Sequence, residues 1–202
     1  MNYPPFYDKV ETITLYDPLA EVLGSFEKGE IRFKYMQIVK SAGHSCPTVG
    51  GAYLMTLKAL KALYPDTLPV RGNIKVEFKE SLEDGVAGVI GNVISNITGA
   101  TDKSGFKGLG GKFARHSLMN FDSSISSNAR FTRVDTNQSV DVFYNPSVVG
   151  GDPKMQPLMQ KVMQQIATAQ EKKEFGVLWQ SRVEEILCNY SNYNGLIEVK
   201  TV

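Results

Sequence analysis

The sequence GHSCPTVGGAYLMTLKALKALYP, residues 43–65, contains the clearest helix signal of the chain. From Thr48 to Tyr64, apolar and small residues recur at intervals of three and four, which is the spacing of one buried helix face. Pro47 suits the first helical position, because its missing N–H would have no partner there. Pro65 ends the pattern. The stretch therefore predicts a buried helix that begins directly after a His-Ser-Cys-Pro turn.

Predicted strands and helices surround this element. Residues 74–78 alternate apolar and charged side chains, as a half-buried strand does. Residues 86–97 repeat apolar side chains at helical spacing, with Asp84 as the N-terminal cap and Gly99 as the C-terminal stop. The remaining predictions before residue 145 are a helix at 18–26, a strand or helix at 31–39, a strand at 113–121, and a hairpin with strands at 130–134 and 139–144.

The sequence after residue 144 indicates a change of architecture. Residues 145–153, NPSVVGGDP, have the composition of a hinge. Two amphipathic helical patterns follow it, one from Met155 and one from Phe175. The order of elements predicts an α+β fold, in which helices cover a mixed, mostly antiparallel sheet and a C-terminal helical pair is added. We expect an α+β core in residues 1–144 and a helical appendage in residues 145–202.

Composition and charge exclude several functional classes. The chain has 22 basic and 21 acidic residues and a formal charge of +1, whereas a nucleic-acid-binding protein carries a basic stripe. A polybasic membrane patch and an apolar run of the roughly 20 residues needed to span a bilayer are both missing from the sequence. We expect a cytoplasmic protein without a secretory signal, in which Cys46 and Cys188 are thiols.

His44 and Cys46 are the candidate metal ligands. The N-terminus of a helix favours a thiolate at Cys46, and an imidazole two residues earlier can bind the same ion. Imidazole nitrogen and thiolate sulfur are typical zinc ligands, although other transition metals also bind them. A zinc centre needs more ligands, and His116, the other histidine, is the candidate for a third. Asn92, Asp102, Asp122 or a water are candidates for the remaining coordination positions, and Cys188 is a weaker candidate.

Two other interpretations compete with the metal site. A His-x-Cys spacing is common by chance, and a catalytic Cys–His pair would need the imidazole to reach the thiol and a third group to orient it.

The glycine-rich segment 105–111 is not a phosphate-binding P-loop, because Phe106 replaces a required glycine and Phe113 follows Lys112 where Ser or Thr is required. Lys112 is nevertheless the candidate for binding an anionic cofactor near the metal site. The simpler interpretation is that Lys112 is an exposed lysine without a ligand.

Three motifs resemble those of proteins similar to the E subunit of formylmethanofuran dehydrogenase. The first is GHSCP followed by TVGGAYLMTLKAL, the second is ITGAT at residues 97–101, and the third is Gly111-Lys112-Phe113-Ala114. The resemblance covers about residues 40–121. It implies a helix packed on a mixed sheet, a metal ion, often zinc, bound by His44 and Cys46, and a homodimer. It does not imply that this protein oxidises formylmethanofuran.

The chain departs from the pattern of that family at three positions. Val89 and Asn92 stand where the family usually has a cysteine and an aspartate, and Thr48 stands where it has a glycine. The ligand set implied by the resemblance is therefore incomplete. The site then uses His116, binds its metal weakly, or binds something else, such as haem with His44 or Cys46 as an axial ligand.

Three functional hypotheses follow from these observations. The first is an intracellular metal-binding accessory or carrier protein that has no turnover of its own. The second is a metal-dependent enzyme that acts on an unknown small molecule. The third is an interaction module in which the turn has lost its function. The missing cysteine, and the absence of a carboxylate base beside GHSCP in the sequence, favour the first. The C-terminal helical pair either covers the pocket as a lid or joins two subunits.

Overall fold

A computed structural model describes residues 3–202. Within this range the helices are α1 Pro18–Val22, α2 Tyr35–Ala42, α3 Pro47–Leu63, α4 Ala87–Thr98, α5 Met155–Met163 and α6 Ala169–Cys188. The strands in the same range are β1 Ile13–Tyr16, β2 Glu30–Phe33, β3 Ile74–Phe78, β4 Met119–Asn120, β5 Ala129–Arg133, β6 Ser139–Tyr144 and β7 Ile197–Thr201. None of the helices in residues 3–202 combines the length and the apolar composition that crossing a membrane requires.

The strands form a small and a large sheet. β1 and β2 pair antiparallel by themselves. The large sheet has the order β4-β3-β5-β6-β7 in residues 3–202, and only its β3–β4 pair is parallel. Helices pack on this mixed, mostly antiparallel sheet, which confirms the predicted α+β class.

Helix α3 is the centre of the hydrophobic core. It begins at Pro47 as predicted, and Cys46 is its N-cap. It contacts β6, α4 and α6, so the whole helix is surrounded and its side chains are largely buried. Gly51 is required for this packing, because a Cβ atom there would lie 2.3 Å from the ring of Tyr144. Burying each large apolar side chain of such a helix stabilises the fold by about 1.5–3 kcal/mol.

Several predicted elements differ from the structure in their extent. The predicted helix at 18–26 ends at Val22, since Gly24 turns the chain with φ of +67°. The ambiguous segment at 31–39 contains the end of β2 and the start of α2. The N-cap of α4 is Val86 without a side-chain bond, whereas Asp84 contributes its backbone carbonyl, which accepts from the Ala87 N–H at 3.1 Å.

The predicted strand at 113–121 is wrong for most of its length. Only β4, Met119–Asn120, is extended and paired. Phe113 and Ser117 have φ of +62° and +58°, in the left-handed region that a strand does not contain. The backbone N–H groups of residues 115–118 bond within the loop instead, for example from Leu118 to the carbonyl of Thr101 at 2.9 Å. Residues 99–118 therefore form a long loop between α4 and β4, called the glycine-rich loop below.

The region after residue 145 shares the sheet and the core with the rest of the chain. The two predicted helices are present as α5 and α6. Strand β7, which pairs with β6 at the edge of the large sheet, has no counterpart among the predicted elements. Val183, Ile186 and Leu187 of α6 belong to the same hydrophobic cluster as α3. This region is thus packed against the core rather than only appended to it.

Candidate metal site

The His-Ser-Cys-Pro turn joins the C-terminus of α2 to the N-terminus of α3. Helix α2 is capped by Gly43, whose φ of +77° is left-handed and whose N–H donates to the carbonyl of Val39. Glycine is favoured at such a position because it has no Cβ. Cys46 then has an extended backbone, and Pro47 begins the next helix. Both ends of the turn are therefore specified locally.

The side chain of His44 is exposed, and its orientation is set by one hydrogen bond. The Nδ1 atom lies 3.0 Å from the carbonyl oxygen of Ala42. A carbonyl only accepts, so Nδ1 carries the proton and donates it. In the neutral ring, Nε2 then has the free lone pair. Histidines that bind metals almost always donate their other ring N–H in this way.

The thiol of Cys46 is half-buried at the N-terminus of α3. Its Sγ atom accepts a hydrogen bond from the N–H of Val49 at 3.4 Å. The hydroxyl groups of Tyr35 and Tyr144 lie nearby: burial is the main reason why the pKa of each phenol is raised, and a charge on Cys46 raises it further. Both phenols are therefore neutral, and their hydroxyl groups bond to Ser45 and to the Pro47 carbonyl, on either side of Cys46. Cys46 and Cys188 are both free thiols in the described chain, as predicted.

Helix α6 holds the turn from the other side. The Trp179 indole N–H and the Gln180 amide donate to the carbonyl of Ser45 at 3.0 and 3.1 Å. The hydroxyls of Ser45 and Tyr35 are 2.9 Å apart, and the Tyr144 hydroxyl donates to the Pro47 carbonyl at 2.7 Å. Sequence reasoning missed these contributions. The one available signal was that Trp179 is the single tryptophan of the chain.

A concave site of about 410 Å³ lies beside His44. The end of α2 forms one wall, and α4 forms the other with Val89, Asn92 and Asn96. Val89 and Asn92 are two of the three positions at which the chain departs from the resembled family. The fold therefore brings these positions next to His44, but their side chains are a hydrocarbon and a neutral amide. Since serine and asparagine provide most of the polar lining, this site gives the haem interpretation no support.

His116 and Lys112 both lie on the glycine-rich loop, and neither lines the site beside His44. His116 is partly buried, and its Nδ1 is 3.1 Å from the Ser117 hydroxyl. Lys112 is exposed at the end of the tight turn that begins at Leu109. Across residues 3–202, no three His, Cys, Asp or Glu side chains form a group that could hold a metal ion. The structure thus brings His44 to α4 and does not bring His116 to join it.

Comparison with known proteins agrees with the family resemblance. The family model described as "FmdE, Molybdenum formylmethanofuran dehydrogenase operon" matches residues 42–193, further than the 40–121 expected from the motifs. A crystal structure from Syntrophus aciditrophicus, of a protein similar to the E subunit (FmdE) of tungsten formylmethanofuran dehydrogenase, shares 14% identity and a TM-score of 0.40 over 84% of this chain and 72% of that chain. No curated protein matches. Because the family model spans both α3 and α6, this chain belongs to the FmdE family.

Proposed function

We propose that this protein is an intracellular metal-binding accessory or carrier protein, with His44 and Cys46 as ligands and zinc as the ion. The observation that carries the proposal is the hydrogen bond from His44 Nδ1 to the Ala42 carbonyl. It leaves Nε2 as the coordinating nitrogen on an exposed side chain. The family description names the operon of a molybdenum enzyme, which agrees with an accessory role.

Cys46 contributes the second donor. Its Sγ atom lies at the start of α3 and accepts a hydrogen bond from the Val49 N–H, which orients the sulfur. Thiolate and neutral imidazole are the donors that zinc prefers. Because Trp179 and Gln180 hold the residue between the two ligands, the turn is constrained before any ion binds. This reduces the conformational entropy that binding would otherwise cost.

Two protein donors leave coordination positions open. The amide oxygen of Asn92 and water are the nearest candidates for these positions, since Asn92 lines the same site as His44. His116, the third ligand expected from the sequence, would bind only if the glycine-rich loop moved towards α4. An open site exchanges its ion more easily than a closed structural site with four ligands. This property suits a carrier, and a small molecule that shares the open positions fits the volume of the site.

An enzymatic role has weaker support. The residues that line the site beside His44 are Ser41, Ala42, His44, Val89, Asn92, Val93, Ser95 and Asn96. This lining contains no carboxylate that could act as a general base. Catalysis of hydrolysis by a bound metal needs a group that moves protons, and a lone imidazole engaged as a ligand cannot also serve as one. Binding and delivery of an ion need no such group.

We also propose a homodimer formed through the α5–α6 hairpin. Met163, Ile166 and Val177 are 71%, 65% and 62% exposed, although all three are apolar. Only Leu158 is buried in α5, so this helix contributes little to the core of its own subunit. Exposed apolar surface of this kind is typical of contacts between subunits. A second copy of the chain offers the same surface and would cover it.

Metal analysis of protein purified without an affinity tag tests the proposed function. We expect about one equivalent of zinc in the parent protein, and less than about a tenth, the level of a weak adventitious site, in both His44→Ala and Cys46→Ser. His116→Ala is the matched control and keeps its metal if His116 is not a ligand. A parent protein that holds less than about a tenth of an equivalent after incubation with zinc would contradict the proposal.

A further inference from the structure

A second cavity lies against the glycine-rich loop, and His44 does not line it. It is a cavity of about 170 Å³ formed by three segments of the chain: residues 18–19, residues 70–73 and residues 113–115. Two arginines, Arg71 and Arg115, are part of its lining. We infer that this cavity binds a small oxyanion, either inorganic phosphate or the carboxylate of a small acid.

Charge is the first reason. The carboxylate of Asp17 pairs with both arginines, at 3.1 Å to Arg71 and 2.6 Å to Arg115. The side chains of these three residues are 4%, 16% and 12% exposed. Two buried guanidinium groups therefore share one carboxylate, which leaves an excess positive charge beside the cavity. Buried charges in native proteins are normally balanced, so an anion would complete this group.

An unpaired donor is the second reason. The Nε–H of Arg115 is buried and has no hydrogen-bond partner in residues 3–202. By contrast, Arg71 uses its Nε and both terminal nitrogens on Asp17 and on the carbonyls of Asn96 and Ile97. A buried polar group without a partner in a native protein often marks the place of a missing ion or water. The guanidinium fork matches the geometry of a phosphate or a carboxylate.

The backbone around the cavity is the third reason. Gly72 has φ of +85°, and a Cβ atom there would lie 3.5 Å from Arg115 Nε, so glycine keeps the space beside that donor open. Phe113 has φ of +62° without being glycine. Strained conformations of this kind concentrate at ligand-binding sites. The cavity is smaller than the roughly 300–1,000 Å³ typical of drug-sized ligands, so the occupant is a small anion.

The glycine-rich loop adds a favourable electrostatic field. Lys103, Lys107 and Lys112 are exposed and form no ion pair with any part of the chain that the structure describes. Lys112 directly precedes Phe113 in the wall of the cavity. Positive charges around a concave site raise the local concentration of anions and their rate of binding. Lys112, expected from the sequence to bind an anionic cofactor, does not line this cavity and would act on it only through its charge.

Titration calorimetry with phosphate alone and with acetate alone, at constant ionic strength, tests the inference. The parent protein should bind at least one of them saturably, and the tighter of the two identifies the chemistry of the natural ligand. Arg115→Lys keeps a positive charge for Asp17 but loses the Nε–H, so we expect its affinity to fall about tenfold. Ala114→Leu, which fills the cavity without a change of charge, should also weaken binding.

Arg130→Lys is the matched control. Arg130 forms a two-bond pair with Asp141 at 2.8 Å, outside the cavity lining, and this variant should bind the anion as the parent does. His44→Ala should also leave anion binding unchanged, which separates this inference from the metal site. Absence of saturable binding of both anions by the parent protein, or equal affinity in the parent and in a folded Arg115→Lys variant, would overturn the inference.

Discussion

The indole N–H of Trp179 donates a 3.0 Å hydrogen bond to the carbonyl of Ser45, which is 134 residues earlier in the chain. Ser45 lies between the two proposed ligands, so α6 holds the His-Ser-Cys-Pro turn through a backbone atom. The sequence left two roles open for the C-terminal helices, a lid over the pocket or a contact between subunits. Helix α6 contacts the turn of its own subunit, as a lid would. Helix α5 and the exposed side of the hairpin stay available for a partner.

Trp179→Phe should loosen the turn without unfolding the protein. The variant keeps an aromatic ring but loses the donor, and Gln180 still bonds the same carbonyl. We expect a loss of about 0.5–1.5 kcal/mol in the free energy of unfolding. Zinc affinity should fall by about tenfold, as it does when groups that orient a ligand are removed. Phe175→Leu is the control, since Phe175 contacts the Trp179 ring but donates nothing to the turn. Unchanged zinc affinity in Trp179→Phe would argue against this role.

The double variant Val89→Cys with Asn92→Asp should strengthen metal binding. Both positions line the site beside His44, so the new thiolate and carboxylate would add two donors next to that imidazole. With Cys46 as the proposed fourth ligand they would approach a closed zinc site, and we expect the affinity measured by chelator competition to rise by about a hundredfold or more. Val86→Cys is the control, because Val86 is exposed near the start of the same helix and does not line the site. A similar gain in the control would show that any added thiol suffices.

Gly51→Ala and Gly176→Ala should have opposite effects on stability. A Cβ atom at Gly51 would lie 2.3 Å from the Tyr144 ring, so the ring or the helix must shift. Such overpacking costs about 1–3 kcal/mol. Gly176 lies in α6 with nothing within 4 Å of its Cβ position. Alanine there should stabilise the protein by about 0.4–1 kcal/mol. Urea unfolding measures both, and a neutral Gly51→Ala would mean that α3 and β6 can separate at little cost.

Asp17 should contribute stability that disappears in acid. Burial alone would raise the pKa of Asp17, but hydrogen bonds from Arg115, from the Ala20 N–H and from Arg71 outweigh it and lower the pKa. A group whose pKa is lower in the folded state stabilises the fold above its unfolded pKa of about 3.9, and that contribution is lost as the pH falls through the folded value.

Asp17→Asn should therefore cost about 3–5 kcal/mol at pH 7, because it leaves two buried arginines without their carboxylate. The difference in unfolding free energy between parent and variant should narrow progressively below about pH 4. Urea unfolding at pH 7 and pH 3 measures it. Asp66→Asn is the control, since Asp66 is exposed and should show little difference at either pH. An equal difference for Asp17→Asn at both pH values would contradict the assigned role.

Met163→Lys and Ile166→Lys should prevent the proposed homodimer. Both side chains are more than half exposed in the single chain, so lysine costs the monomer little. We expect light scattering to report a dimer for the parent and a monomer for the variants. Val22→Lys is the control, with a side chain that is 63% exposed on α1. Deleting residues from 145 onward is a poor test, because it removes β7 and the buried residues of α6. A monomeric parent at high concentration would contradict the proposal.

The sequence by itself determined the elements whose signals are local. The three-and-four spacing and Pro47 specify α3, alternation specifies β3, and Gly99 ends α4 in the left-handed conformation at φ of +77°. The candidate ligands His44 and Cys46 were also visible, since they are adjacent to a helix start. These features depend on backbone sterics and on periodic burial, which operate within a few residues.

The tertiary structure alone decided which distant groups meet. Pairing of β7 with β6, the contact of α6 with Ser45, and the sharing of Asp17 by Arg71 and Arg115 all join residues separated by more than fifty positions. The position of His116 was also decided by the tertiary structure. The sequence predicted a strand there, but the backbone of the glycine-rich loop forms hydrogen bonds within the loop, and His116 does not line the site beside His44. No local pattern encodes such contacts, since their free energy comes from burial and pairing that exist only once the whole core has formed.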